Sequence, residues 1–291
     1  MLVVAVFASS AFGADWPGFR GPRGSGIAPS SESVPTVWGP GTNIRWKAAM
    51  LRPGNGSPIV VAGRVLLTSA QDEKGLKRSL YCFDAKSGRQ LWLRTVELDR
   101  VMPTHKTSPY CGSTPVSDGE RVVVWEASAG LHCYDLNGKP LWSRNLGEFR
   151  HMWGYGSSPI LYKGKVILHT GPGNRSFVTA IDLDDGKTLW ETDEPQEGSE
   201  KNKKGKVLGS WSTPVIARVG AADQIILMQP LRVVAYDPQS GRIIWSCHGN
   251  RHAGGDLAYS SPIIVGDLCF VTGGFRGVSM AIRLGGSGNV T

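Results

Sequence analysis

Leu80-Tyr-Cys82-Phe-Asp84-Ala-Lys-Ser-Gly88-Arg-Gln-Leu-Trp92 decides the fold of this 291-residue chain, because the pattern is written four times. It returns as Leu131-His-Cys133-Tyr-Asp135-Leu-Asn-Gly138-Lys-Pro-Leu-Trp142, one residue shorter in the turn. It returns again as Val178-Thr-Ala180-Ile-Asp182-Leu-Asp-Asp-Gly186-Lys-Thr-Leu-Trp190, and as Val233-Val-Ala235-Tyr-Asp237-Pro-Gln-Ser-Gly241-Arg-Ile-Ile-Trp245. Self-similarity at a period of roughly 50 residues marks a repeat architecture.

A second pattern leads each unit: Ser57-Pro58, Ser113-Thr-Pro115, Ser158-Pro159, Ser212-Thr-Pro214 and Ser261-Pro262. A short apolar run, a Gly-containing turn and a β-branched run follow it, which is a hairpin. Two hairpins per unit make four antiparallel strands. So small a sheet cannot bury both faces alone, and radial stacking of such sheets gives an all-β propeller. Each recurring residue has a mechanical reason. Asp at the turn entry accepts backbone N–H bonds, and Gly takes the positive φ that reverses the chain. Trp on the outer strand offers a flat face to the neighbouring blade. Pro opens a first strand, where a missing N–H costs least. Cys82 and Cys133 stand where other copies have Ala180 and Ala235, the signature of a small buried side chain.

The reading gives blades at 57–92, 113–142, 158–190 and 212–245, and a partial blade from 261. In that last unit Arg283 replaces Asp, Gly285-Gly286-Ser-Gly288 replaces the turn, and no Trp follows. Upstream, Asn43-Ile-Arg-Trp46-Lys resembles an outer strand without partners, as in closed rings whose N-terminal strand completes the last blade. The expectation is an incomplete ring over 44–291, a piece of a longer protein, preceded by an extended segment at 14–43. The apolar run Leu2–Phe7, closing on Ala11 and Gly13, suits a cleaved signal peptide over 1–13, although no Lys or Arg precedes it. The protein is therefore expected in the periplasm or outside the cell. No stretch approaches the ~20 apolar residues of a membrane helix.

Composition excludes several function classes. With Gly 38, Pro 18 and only 19% charged residues, long helices have little room. Five cysteines form no C-x-x-C pair, which argues against zinc and thioredoxin-like sites. The net charge of +8 comes partly from Lys201–Lys206, a solvated loop, and no nucleic-acid motif accompanies it. Asp182-Leu-Asp184-Asp185-Gly186 places its Gly wrongly for an EF-hand. Gly21-Pro-Arg-Gly24-Ser-Gly26 precedes no βαβ unit and is no dinucleotide fingerprint.

The A-x-D-x-x-x-G-x-x-x-W spacing at Ala180/Asp182/Gly186/Trp190 and Ala235/Asp237/Gly241/Trp245 resembles the tryptophan-docking motif of PQQ-like (quinoprotein-type) β-propellers. Cys82/Asp84/Gly88/Trp92 matches with Cys for Ala, and Cys133/Asp135/Gly138/Trp142 with a shortened turn. Asp15-Trp-Pro-Gly-Phe-Arg20-Gly-Pro-Arg-Gly-Ser-Gly26 is similar to the mature start of secreted bacterial members. The family holds PQQ- and calcium-dependent alcohol and sugar dehydrogenases. It also holds the non-catalytic propeller lipoprotein of the outer-membrane β-barrel assembly machine, which this chain resembles more. Fold does not choose between them.

A dehydrogenase of this family implies an Asp base beside the quinone, a calcium site and, in many members, two adjacent cysteines. No vicinal Cys pair exists here, and Asp84, Asp135, Asp182 and Asp237 are consumed by turns. Glu126 is a conceivable calcium ligand, but its place after a strand suggests a solvent-facing side chain. The segments feeding each inner strand carry His105, Lys106 and Tyr110, then His151, Trp153 and Tyr155, then Trp211, then His252 and Tyr259. These side chains are candidates to ring a funnel mouth for a planar ligand, a glycan or an extended peptide. The competing reading makes them packing aromatics and ordinary polar loop residues. His132, His169 and Trp125 read as structural. The leading expectation is a secreted, non-catalytic scaffold that binds other extracytoplasmic proteins, a glycan or a peptide, and needs no cofactor or metal. The alternative is a quinoprotein oxidoreductase that uses PQQ and calcium.

Overall fold

A computed structural model describes residues 14–29, 34–173, 175–194, 208–249, 256–273 and 277–291. The segment 1–13, the lysine loop at 201–206 and His252 lie outside the described residues. Among the described residues no helix is long and apolar enough to cross a membrane.

Blade one is an antiparallel sheet in sequence order, Ile59–Val61, Arg64–Ala70, Lys77–Asp84 and Gln90–Glu97. Blade two repeats it with Val116–Ser117, Arg121–Trp125, Leu131–Asp135 and Pro140–Arg144. Blade three has Ile160–Tyr162, Lys165–His169, Phe177–Asp182 and Thr188–Asp193. Blade four has Val215–Val219, Ala222–Met228, Arg232–Tyr236 and Ile243–His248. Blade five has three strands, Ile263–Val265, Leu268–Thr272 and Ser279–Arg283. The tail then turns away, and Gly288–Asn289 pairs in parallel with the outer strand of blade four. The ring is open, as the repeat count implies.

The core is a set of layers between blades. In strand Phe177–Asp182, Phe177 and Ile181 pack towards Trp125 and Leu131 of blade two. Val178 and Ala180, on the other face, pack towards Ile225 and Val234 of blade four. This is the period-two alternation of a strand buried on both faces. Blade five has only one face covered: Ile263, Val265, Phe270 and Val278 are exposed.

The first three junctions are fastened at the rim by the docking motif. Asp135 Oδ1 accepts the N–H groups of Asn137 and Lys139, both at 2.8 Å, and so holds the turn. The small residue of each motif lies opposite its Trp: Cys82 pairs with Trp92, Cys133 with Trp142, Ala180 with Trp190 and Ala235 with Trp245. A register shift follows directly after each pair, and this bulge bends the strand. The indole then reaches the turn of the next blade. Trp92 Nε1 donates to Leu136 O at 3.0 Å, Trp142 to Leu183 O at 2.9 Å and Trp190 to Pro238 O at 3.2 Å. Gly138 (φ 81°) and Gly186 (φ 73°) have a second reason to lack a side chain, since a Cβ would lie 2.8 Å from the docked indole. Trp46 Nε1 bonds Ala85 O at 2.9 Å in the same way, as the Trp of a preceding blade would. Trp245 departs from the pattern. Blade five offers it no Asp–Gly turn, and its indole donates to Gln224 Oε1 of its own blade at 3.0 Å.

Near the axis a second fastening runs from blade to blade through the hydroxyl before each Pro. Ser57 N–H donates to Thr114 Oγ1 (2.9 Å) and Thr114 N–H to Ser158 Oγ (2.9 Å). Ser158 N–H donates to Thr213 Oγ1 (3.1 Å) and Thr213 N–H to Ser261 Oγ (2.9 Å). Four junctions are made by one bond repeated.

The N-terminal segment threads the axis inside this relay. Trp16 exchanges two backbone bonds with Val60 of blade one, and Pro17 O accepts Ser117 N–H of blade two. A Cβ built on Gly24 would lie 3.9 Å from Val215 of blade four. Arg20 Nη1 donates to Ser261 O (3.3 Å) and Pro262 O (3.0 Å) of blade five. Gly21, at φ 67°, lies against the Trp16 ring where any Cβ would collide.

Candidate functional site

The entry segments and the axial segment enclose a funnel of about 300 Å³. Phe19 and Arg20 of the axial segment line it, its wall includes Tyr155 and the relay residues Thr114, Ser158, Thr213 and Ser261, and its more exposed side carries Trp211 and Tyr259. Phe19 also borders a second cavity of about 510 Å³, lined by Ile160, Tyr162, Val215 and Asp223 among others. The N-terminal segment thus stands between two axial spaces.

Three of the nine residues suggested by the sequence line the funnel. Trp211 is half-buried, with its Nε1 on Gly154 O at 3.1 Å. Tyr259 is 41% exposed, and its ring centroid lies 5.1 Å from that of Trp211. Tyr155 is buried at the wall, and its hydroxyl donates to Glu126 Oε2 at 2.6 Å. His151 and Trp153 stand behind this surface. His151 meets Trp211 edge-on at 5.1 Å, and Trp153 lies 5.9 Å from Trp211. His151 is buried, with Nε2 on Leu208 O at 3.0 Å and Nδ1 accepting Trp153 N–H at 3.2 Å. That pairing puts the proton on Nε2 and makes the imidazole a strut. Together they form a continuous aromatic shelf, rigid at its back and open at Tyr259.

His105, Lys106 and Tyr110 do not join it. His105 and Lys106 are exposed in a loop, where His105 Nδ1 bonds Thr107 Oγ1 at 2.8 Å. Tyr110 donates to Met102 O at 2.7 Å and lays its ring 5.1 Å from the Arg78 guanidinium carbon. His169 is buried between Ser212 O and Ser176 Oγ, and His132 bonds Ala129 O.

Glu126 corrects the expectation of a solvent-facing side chain: it is 2% exposed. The chain leaves its strand at Trp125 into a 3₁₀ turn at Ala127–Ala129, and that turn swings Glu126 inward. There it sits with Tyr155 beside Arg78, which donates to the Glu126 backbone carbonyl at 2.6 Å and is flanked by the rings of Tyr110 and Tyr155. Burial pushes the Glu126 carboxyl up, and the Arg78 charge and the Tyr155 hydroxyl only partly offset this. Burial and the neighbouring Glu126 also push the Cys111 thiol well up. This is a sealed polar brace beneath the funnel wall.

A calcium site needs several oxygen ligands, with carboxylates among them. The funnel wall has none among the described residues, since Glu126 is closed off behind Tyr155. No group of three His, Cys, Asp or Glu among the described residues is arranged to hold a metal. The described lining of this funnel does not fit a calcium-dependent quinone site.

What the sequence reading missed is Arg20. Arg20 is the one charged residue among the described lining of the funnel. Its only signal was an arginine inside a Gly-Pro-rich run that had been read as a mature N-terminus.

The sequence model of the family described as outer membrane protein assembly factor BamB matches residues 76–289. Quinohemoprotein alcohol dehydrogenase ADH IIB of Pseudomonas putida is 25% identical over 197 residues, covering 62% of this chain and 28% of its own length. A polyvinylalcohol dehydrogenase of Pseudomonas sp is 26% identical over 202 residues, 61% of this chain and 30% of its own. The chain spans less than a third of these curated relatives. BamB from Moraxella catarrhalis superposes with a TM-score of 0.53 at 15% identity, covering 86% of this chain and 70% of that one. The quinohemoprotein alcohol dehydrogenase of Comamonas testosteroni gives 0.57 at 16% identity, covering 92% and 45%. These structures share the fold, and the chain belongs to the PQQ-like β-propeller family described by the BamB model.

Proposed function

We propose that this propeller is a non-catalytic, extracytoplasmic binding scaffold that holds its ligand in the axial funnel against Trp211 and Tyr259. The observation that carries the reading is the aromatic shelf of His151, Trp153, Trp211 and Tyr259 beside a funnel whose described wall has no carboxylate. Half-exposed aromatic rings bind flat apolar faces without demanding a fixed hydrogen-bond pattern. General acid–base catalysis is most often done by His, Asp or Glu within reach of the bound ligand. The described wall has none of these, its polar side chains being Arg20, Asn55, Trp211, serine and threonine hydroxyls and the phenols of Tyr155 and Tyr259. Periplasmic or secreted location and protein or peptide partners belong to this same reading.

The test is a ligand screen on the intact protein, read by tryptophan fluorescence, with soluble peptides and glycans in one arm and PQQ with calcium in the other. A saturable peptide or glycan signal that Trp211→Ala removes supports the scaffold. One-to-one binding of PQQ with calcium, together with alcohol-dependent reduction of an artificial electron acceptor, would overturn it. That outcome would favour the second reading, a quinoprotein oxidoreductase, whose motivation is the 25% identity to an alcohol dehydrogenase.

A further inference from the structure

Arg20 is held in an unusual way. Its backbone stands at φ 59°, the left-handed region that a long side chain rarely adopts. The turn is fixed from several sides: Gly21 N–H bonds Gly18 O at 2.9 Å, Gly26 N–H bonds Arg20 O at 2.8 Å, and Gly21 is sealed under the Trp16 ring. Strain of this kind persists where the surroundings over-determine it, often at ligand clamps. The guanidinium it presents is partly buried, with its carbon 5.3 Å from the Phe19 ring centroid, and of its nitrogens Nη1 alone donates, to the two blade-five carbonyls. Nε and Nη2 have no acceptor among the described residues, and no carboxylate pairs with Arg20 there. Burial pulls its pKa down.

A cation removed from water is ordinarily matched by an anion. No other described residue lining this funnel is charged. Above it stand the Trp211 and Tyr259 rings, and around it the relay hydroxyls. The net charge of +8 adds a field that draws anions inward.

We infer that the funnel takes a carboxylate carried on a flat apolar body, its two oxygens meeting Nε and Nη2 of Arg20 and its body lying against Trp211 and Tyr259. The inference rests on the binding-funnel reading above and adds the chemical class of the ligand. Two sources share this chemistry, a free aromatic acid and the C-terminal carboxylate of a peptide. A funnel of about 300 Å³ admits a small acid or the last one or two residues of a chain.

The experiment uses the intact protein and matched pairs. N-acetyl-tryptophan is compared with N-acetyl-tryptophanamide, and Ala-Ala-Phe with its C-terminal amide, by calorimetry. A charge-assisted pair predicts that each carboxylate binds at least about tenfold tighter than its amide. Arg20→Gln erases that difference and leaves amide binding unchanged, while Arg20→Lys keeps part of it. Trp211→Ala weakens acid and amide alike. Near-ultraviolet circular dichroism of the Arg20 variants checks that the axial segment stays folded. Equal binding of acid and amide to the parent protein overturns the carboxylate inference and leaves the funnel reading standing. No binding of any of the four at millimolar concentration overturns both. If the tripeptide acid is preferred over the single residue, the source is a peptide terminus; the reverse order points to a free acid.

Discussion

Replacing Thr213 by valine keeps the branched shape of the side chain and deletes one atom's function. Oγ1 accepts the N–H of Ser158 at 3.1 Å across the junction between blades three and four. Both residues are sealed from water, Thr213 at 2% exposure and Ser158 at 1%. No solvent can replace the acceptor, so the variant carries the desolvation cost of an orphaned amide, about 1–3 kcal/mol. The extra methyl group returns part of this, up to about 0.8 kcal/mol, which leaves a net loss centred on about 1–2 kcal/mol. Thr114→Val is the internal control. It orphans the N–H of Ser57, which is exposed, so water takes the vacated place and the loss falls below about 0.5 kcal/mol. Urea unfolding followed by tryptophan fluorescence reads both, with the slope against urea expected unchanged. In thermal melts the Thr213 variant drops by roughly 2–8 °C, at about 2–4 °C per kcal/mol for a domain of this size. If Thr213→Val matches the parent within about 0.3 kcal/mol, or if the two variants lose equally, the relay does not fasten the blades.

Three further outcomes follow from other parts of the fold. Gly186→Ala places a Cβ 2.8 Å from the Trp142 ring at φ 73°, so undocking or strain costs about 2–4 kcal/mol, read by the same urea titration. Trp211→Ala removes the centre of the aromatic shelf. Any ligand seated there should lose about 1–3 kcal/mol of affinity in calorimetry. Asp223 accepts bonds from Tyr162, Lys163 and Arg218, and these hold its carboxyl far below the usual range. Because its folded pKa is depressed, its stabilisation is present above about pH 4 and is lost as the pH falls further. Asp223→Asn should lower stability near neutral pH and flatten the acid limb between about pH 4 and pH 2, so that parent and variant converge as the pH falls. A parallel acid limb in parent and variant would refute the assignment.

The architecture was legible because its defining residues repeat at short range. Asp84, Gly88 and Trp92 lie within one hairpin, so their spacing announces the turn before any tertiary contact is known. The direction of docking was legible only in part, since the sequence says that Trp92 packs outward but not that its N–H finds Leu136 O in the next turn. The hydroxyl before each Pro stood in plain view, yet its partner lies 44 to 57 residues away in another blade, as in Ser57 with Thr114. Glu126 misled because strand alternation after Trp125 points it outward, and the 3₁₀ turn that reverses it has no strong sequence signal. Arg20 was least legible of all: its carbonyl partners are 241 and 242 residues further on, and only the closing of the blades round the axis brings them together.

The relay and the docked indoles point the same way round the axis: each of the first three blades gives an N–H and an indole forwards, to a hydroxyl and a turn of the blade that follows. Such a junction is head-to-tail, like the bond between monomers of a polymer, and it recognises position and not blade identity. A unit duplicated or lost by recombination would meet neighbours that already carry both complementary halves. The number of blades is then left to the wedge angle, set by the bulk of side chains such as Trp190 and Ile225 between sheets. On this logic ring size can drift in evolution while the axial space, and whatever it holds, is rebuilt around it.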